Sequence, residues 1–266
     1  MTRPGRTDPD VVVTTSGPVA TLWLNRPQKR NAVTADMWAS IAEACRELAD
    51  DDTVRALVVR GVGDHFCAGA DVGGLGATPG YGAINAEAEA QLAAFPKPTV
   101  ALTVGACVGG GVQIASACDL RIADETALLG VTPARLGIVY PASAIERLHR
   151  LVGPAAAKHL LFTAELINAE RALRIGLVDE VVAAGQAESR VDTLVHLMTE
   201  ERSLLTQMAS KQMVDDIATH GRVADLTTER WRRHLADNPD SPEGIAAFAE
   251  RRRPRSTWTP SSRTAR

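Results

Sequence analysis

The sequence has no apolar run approaching the length of a membrane span, and its charged start, MTRPGRTDPD, is not followed by the apolar segment that directs export. A cytoplasmic chain is expected. An excess of charge of either sign is also missing, since 29 Lys and Arg stand against 32 Asp and Glu. That near balance excludes a whole-chain attraction to nucleic acid or to an anionic membrane. The basic run RRRPR near the end is not accompanied by an aromatic surface on which bases could stack. Cysteine is sparse: Cys45, Cys67, Cys107 and Cys118 are scattered in apolar surroundings without a CxxC or Cys/His spacing. They read as reduced core thiols, and no metal site is expected. Missing too are a GxGxxG that opens a helix, a Walker-type lysine loop and a GxSxG elbow, which argues against the common dinucleotide, nucleotide-phosphate and serine-hydrolase designs.

What is present suits one large core. The 266 residues are 45% apolar and 23% charged, near the globular average. Residues 1–9 and 255–266 are polar and read as mobile tails. Between them, VVVTT and VATLWL form a hairpin signal around a Ser-Gly-Pro turn. In TADMWASIAEACRELAD, Thr34 can cap a helix whose Met37, Ile41, Cys45 and Leu48 recur at helical spacing. Strand and helix then alternate: VRALVVRG, AINAEAEAQLAAF, PTVALTV, GGGVQIASAC, DLRIAD. This order predicts an α/β core over residues 10–195, with parallel strands joined by helices and functional loops at the strands' carboxyl ends. Residues 196–254 carry helical patterns without strands. Such a segment must pack on the core or on another subunit to bury its apolar side.

Two glycine-rich loops directly follow strands, GVGDHFCAGAD (residues 61–71) and ACVGGGVQ around Gly109, Gly110 and Gly111. Small residues let a ligand approach the main chain. At the start of the helix after Gly109 the backbone N–H groups lack intrahelical partners and carry the positive end of the helix dipole. Two such donors converging from two strand ends would make an oxyanion hole. Tight turns and close packing account equally well for either loop taken alone.

Taken in order, LNRPQKRNAV, GVGDHFCAGAD, PTVALTVGACVGGGVQIASACDLRIAD, TPARLGIVYP, LLFTAELINAERALRIGLVDEVV and GIAAFAERRRP resemble the crotonase, or enoyl-CoA hydratase/isomerase, family over roughly residues 11–254. The resemblance implies a spiral of strand-strand-helix repeats with a helical C-terminal region, assembled as a trimer or a dimer of trimers. It implies acyl-CoA thioesters as substrates, with coenzyme A part of the substrate and no separate cofactor. Carried over by position, the oxyanion amides belong to Ala70 and Gly110. Lys29 and Arg30 fall where the family meets CoA phosphates, and the loop from Ala68 to Asp71 passes the adenine. Asp71 alternatively caps the following turn. Phe248 and Arg251 match an aromatic and a cation that reach CoA from a neighbouring subunit.

The two glutamates of family hydratases correspond here to Gln113 and Pro133. An amide does not exchange a proton near neutral pH, and proline carries no acid or base. Ordinary hydration by that pair is therefore not expected, and single-glutamate isomerisation is weakened by Pro133. The stretch TPARLGIVYP resembles instead the TPxxLGxxY of the methylmalonyl-CoA decarboxylase branch. In that resemblance Tyr140 orients a leaving carboxylate or donates a hydrogen bond, with Gln113 as a neutral neighbour that does not repel an anionic acyl group. That branch has a histidine where this chain has Ala70, and Tyr140 is alternatively a packed core aromatic. His65 reads as structural and Glu146, beside Arg147, as part of a solvated ion-pair face. An isomerase or thioester hydrolase using Glu146 or another acid, and a non-catalytic acyl-CoA binder, stay open as alternatives.

Overall fold

The computed structural model describes residues 3–5, 7–75, 78–236 and 238–263. Strands β1 (Val11–Ser16) and β2 (Val19–Leu24) form the expected hairpin, with Val11 opposite Leu24 and Ser16 opposite Val19. Helix α1 (Ala35–Asp50) starts where Thr34 accepts a hydrogen bond from Met37 N–H at 3.2 Å, and Met37, Ile41, Cys45 and Leu48 are all buried.

From there the chain repeats one move. Strand β3 (Ala56–Gly61) is followed by a single parallel bridge between Cys67 and Cys107, then by α2 (Val72–Leu75) and α3 (Tyr81–Ala93). The next unit is β4 (Thr99–Thr103), β5 (Ala106–Val108) and α4 (Gly110–Ala117), and the one after is β6 (Leu120–Asp124), β7 (Leu128–Gly130) and α5 (Ala142–Thr163). Strand β8 (Ile167–Asn168), α6 (Ala169–Arg174) and β9 (Glu180–Val182) complete two sheets. The larger has the order β1-β2-β3-β4-β6-β9 and the smaller β5-β7-β8. In each unit the first strand joins the large sheet and the following segment lines up with the small one. This is the α/β spiral of strand-strand-helix repeats that the resemblance implies.

Every large-sheet pair from β2 to β9 is parallel, so helices must make the crossovers and cover the faces. Leu57 and Val59 face the main core with Met37 and Ile41 of α1, whereas Val58, Val100 and Ile122 meet Val191 and Val195 of α7 (Ala187–Glu200) on the other side. Beyond Val182 the described residues form no strand, and α7 is followed by α8 (Leu204–His220), α9 (Asp225–Ala236) and α10 (Asp240–Glu250). Among the described residues no helix is long and apolar enough to cross a membrane.

Residues 1, 2, 6 and 264–266 of the expected mobile tails lie outside the described residues, and the described tail residues are tied to the core. Trp258 is buried with Leu204, Leu205, Met208 and Trp231, its ring centroid 6.5 Å from that of Trp231. Backbone N–H groups of Thr257 and Trp258 donate to Asp240 Oδ1 at 2.8 and 3.1 Å. The C-terminal region is therefore anchored past residue 254, because a single tryptophan outweighs a polar composition. At the other end Asn25 Nδ2 donates to the carbonyls of Gly5 and Pro9, tying part of the N-terminal segment to β2. Trp258→Ala is expected to cost about 3 kcal/mol, in the range for losing a buried aromatic. Calorimetry should show a lower or earlier unfolding transition, and an unchanged melting curve would mean the tail is not anchored.

Candidate active site

Three successive turns of the spiral end in loops that meet at one cavity. The Cys67 bridge leads into residues 68–70, β5 into residues 109–113, and β7 into residues 132–141. The cavity measures about 240 Å³ and is lined by these loops together with Trp38 of α1 and Tyr81 and Asn85 of α3.

Each glycine of the Gly-Gly-Gly run has its own physical reason. Gly109, at φ 53° and ψ −109°, turns the chain from β5 into α4 through a conformation that L side chains rarely adopt. Gly110 opens α4, so its N–H has no partner within the helix. A methyl group built on it would lie 3.3 Å from Ala70 N and 3.4 Å from Trp38 Cζ2. Gly111 rests on the preceding loop so closely that a methyl there would collide with Cys67 O.

Ala70 is fixed by a parallel bridge to Val33. Val33 N–H donates to Gly69 O and Asp71 N–H donates to Val33 O, both at 2.8 Å. Neighbouring residues of an extended chain aim their N–H groups to opposite sides, so Ala70 N–H is turned away from Val33. Among the described residues neither Ala70 N–H nor Gly110 N–H has an acceptor. Two adjacent, unpartnered backbone donors, one of them at a helix N-terminus, can hold an oxygen as it gains negative charge.

Tyr140 acts on this pair from behind. Its hydroxyl donates to Gly109 O at 2.9 Å, and Gln113 N–H donates to the same carbonyl at 3.0 Å. Gly109 C=O and Gly110 N–H belong to one planar peptide group, so fixing the carbonyl fixes the direction of the N–H. Donation to the carbonyl also polarises that N–H. The hydroxyl thus donates to the backbone and not toward a ligand, and the ring is buried in the main core, as the packed-aromatic alternative has it. Burial pushes the phenol well above its ordinary pKa, which keeps the donated proton in place.

Gln113 lines the cavity where expected, and so does Pro133, neither of them an acid. Behind Gln113 lies a group the sequence reading did not single out. Glu89 is buried, accepting from Gln113 Nε2 at 2.8 Å, from Ser143 Oγ at 2.7 Å and from Arg147 Nε at 2.8 Å. A carboxylate paired with Arg147 only accepts, which orients the Gln113 amide: NH₂ toward Glu89, with its second N–H reaching Asn85 Oδ1 at 2.8 Å. Gln113 Oε1 then accepts from Asn85 Nδ2 at 3.1 Å. Tyr81, Asn85 and Glu89 recur every four residues on α3, the one signal in the sequence that could have revealed this stripe.

The other expected positions divide. Ala68 lines the cavity, and its N–H donates to Arg30 O at 2.9 Å, which ties the loop bearing exposed Lys29 and Arg30 to the site. Asp71 pairs with Arg26 at 3.0 Å and accepts from Gly73 N–H, so it caps a turn as its structural reading implied. The hydrogen bond from Arg26 holds its carboxyl below the ordinary range. Phe248, 88% exposed on α10, and Arg251, at its C-terminal end, do not line the cavity of this chain. His65 is structural, its Nδ1 accepting from Ala106 N–H at 3.1 Å. Glu146 lies on a solvated ion-pair face, as expected, with Arg150 at 3.7 Å as its partner, while Arg147 turns inward to Glu89. Successive helical residues do not face each other, whereas residues four apart do. Burial pushes the Cys67 thiol up to about 12, and among the described residues no group of three or more His, Cys, Asp or Glu is placed to hold a metal.

The family model described as enoyl-CoA hydratase/isomerase matches residues 14–259. The chain is 34% identical over 242 residues to a crotonyl-CoA hydratase of Syntrophomonas wolfei, covering 88% of this chain and 93% of that protein. It is 31% identical over 255 residues to a short-chain-enoyl-CoA hydratase of Clostridium acetobutylicum, covering 92% and 96%. A solved enoyl-CoA hydratase/isomerase family member superposes with a TM-score of 0.88 at 39% identity, covering 94% of this chain and 97% of that one. An enoyl-CoA hydratase of Mycobacterium smegmatis gives 0.83 at 28% identity, covering 94% and 99%. The fold, the glycine loops and these relatives together make the chain a member of the enoyl-CoA hydratase/isomerase family, the crotonase superfamily.

Proposed function

We propose that this protein binds an acyl-CoA thioester with its carbonyl oxygen between Ala70 N–H and Gly110 N–H, and releases carbon dioxide from a malonyl-type acyl group. One observation carries the reading. Two unpartnered backbone donors face a cavity whose described lining includes no carboxylate, imidazole, amine or thiol, and whose two phenols, Tyr81 and Tyr140, are kept protonated by burial. Hydration and double-bond shift both need a side chain that moves a proton. Decarboxylation does not: the bond from the α-carbon to the carboxylate breaks, and its electron pair forms the carbon–carbon double bond of an enolate. The thioester oxygen takes the charge, stabilised by the two amides. Carbon dioxide departs, and the α-carbon then takes a proton from water.

The reaction so written draws on no metal or redox cofactor. Lys29, Arg30 and the loop from Ala68 to Asp71 are assigned to CoA, with Phe248 and Arg251 reaching the CoA of a neighbouring subunit in a trimer or dimer of trimers. The 88% exposure of Phe248 and 74% exposure of Ile245 on the same helix support a partner there.

Methylmalonyl-CoA or malonyl-CoA should yield carbon dioxide on incubation with the protein, while crotonyl-CoA is not hydrated. Hydration of crotonyl-CoA without carbon dioxide release from any malonyl thioester would sink the reading. Proline is tolerated at the first position of a helix, so Gly110→Pro deletes one oxyanion donor, although its Cβ presses on Ala70 N and Trp38 Cζ2, and its melting curve is measured before its activity. Its kcat should fall roughly 10²- to 10³-fold. Tyr140→Phe removes one of the two hydrogen bonds to the Gly109 carbonyl and should lower kcat about tenfold, with KM nearly unchanged. Equal kcat in wild type and variant would remove Tyr140 from the mechanism. Gln113→Glu would set a second carboxylate at the position whose Nε2 lies 2.8 Å from Glu89, so destabilisation without any gained hydration is expected.

A further inference from the structure

Resting on the acyl-CoA reading above, we infer that Tyr81 and Asn85, one turn apart on α3, form a donor pair that takes a carboxylate oxygen of the acyl group. Both side chains line the cavity opposite the glycine loops. For each, a partner that can play only one role decides what is left for a ligand.

Trp38 Nε1 donates to Tyr81 Oη at 3.0 Å. An indole N–H has no acceptor capacity, so the phenol oxygen must accept there, and its own proton is left without a partner among the described residues. Burial raises the Tyr81 pKa, which keeps that proton on the oxygen. On the next turn, the acceptor-only Glu89 orients Gln113, and Gln113 orients Asn85. Both Gln113 N–H groups are then committed, whereas Asn85 Nδ2 makes one hydrogen bond, to Gln113 Oε1, and keeps a second N–H. The charge of Glu89 is met by Arg147 at 2.8 Å, which lessens repulsion of an anionic acyl group.

The cavity thus holds two sets of donors, the backbone pair of Ala70 and Gly110 and the side-chain pair of Tyr81 and Asn85. That arrangement fits a ligand with two acceptor groups: a thioester carbonyl and, close by, a carboxylate. Tyr140 is not needed to hold the carboxylate, because its hydroxyl donates to Gly109 O. Holding the carboxylate away from the thioester amides would let the breaking bond overlap the carbonyl π system.

The experiment is a comparison of dissociation constants, by calorimetry, for non-reactive amide analogues of methylmalonyl-CoA and propionyl-CoA, with NH in place of the thioester sulfur, which keep the carbonyl and differ in the carboxylate alone. Wild type, Tyr81→Phe and Asn85→Ala are measured, each checked for an unaltered melting curve. Wild type should bind the carboxylate analogue about tenfold more tightly, and either variant should bring the two within threefold while affinity for the propionyl analogue holds. If one variant does not fold, the other decides alone. Equal binding of both analogues by wild type, or a preference kept in the folded variants, overturns the donor pair. A preference lost in the variants with no carbon dioxide release from methylmalonyl-CoA upholds the donor pair and overturns decarboxylation. Failure of wild type to bind either analogue overturns both.

Discussion

The peptide unit between Gly109 and Gly110 is the constraint on which the site depends. Its carbonyl receives two hydrogen bonds, from Tyr140 Oη and from Gln113 N–H, and its N–H faces the cavity beside Ala70. A backbone amide has no rotamers, so once its plane is set the donor needs no reorganisation when charge develops. The three glycines make this possible by admitting a left-handed turn at Gly109 and close approach at Gly110 and Gly111. The spiral supplies the rest. Each repeat ends its second segment at a similar level, and the loops that follow Cys67, β5 and β7 therefore reach one place.

A second layer sets polarity. A buried carboxylate is costly unless it is paired and hydrogen-bonded, and Glu89 is both, through Arg147, Ser143 and Gln113. Its fixed role as acceptor passes through Gln113 to Asn85, so a charge outside the cavity lining determines which atoms the lining offers. A glutamate at position 113 would face Glu89 across this contact. The neutral amide is thus part of the packing of the α3 stripe, and its presence is linked to Glu89 as well as to the chemistry.

Much of the fold was legible because its signals are local. The β1–β2 hairpin, the Thr34 cap, the apolar stripe of α1 and the loss of strands after Val182 each follow from short stretches of sequence. The glycine loops were legible as well, since glycines at strand ends have few explanations. Less legible were features made by distant partners. Tyr81, Asn85 and Glu89 are spaced as on one helix face, but polar residues at that spacing ordinarily mark solvent. Their partners are distant in sequence: Arg147, 58 residues on, for Glu89, Gln113 for Asn85 and Trp38 for Tyr81. The role of Tyr140 depends on a carbonyl 31 residues earlier. Trp258, alone in a polar tail, finds its site only because α8 and α9 bring Met208 and Trp231 together.

The most direct test of the account is a crystal structure with a non-reactive thioester analogue of an acyl-CoA bound. The account predicts the thioester oxygen at hydrogen-bonding distance, about 2.7–3.1 Å, from both Ala70 N and Gly110 N. An analogue seated with its carbonyl oxygen touching neither nitrogen would contradict it.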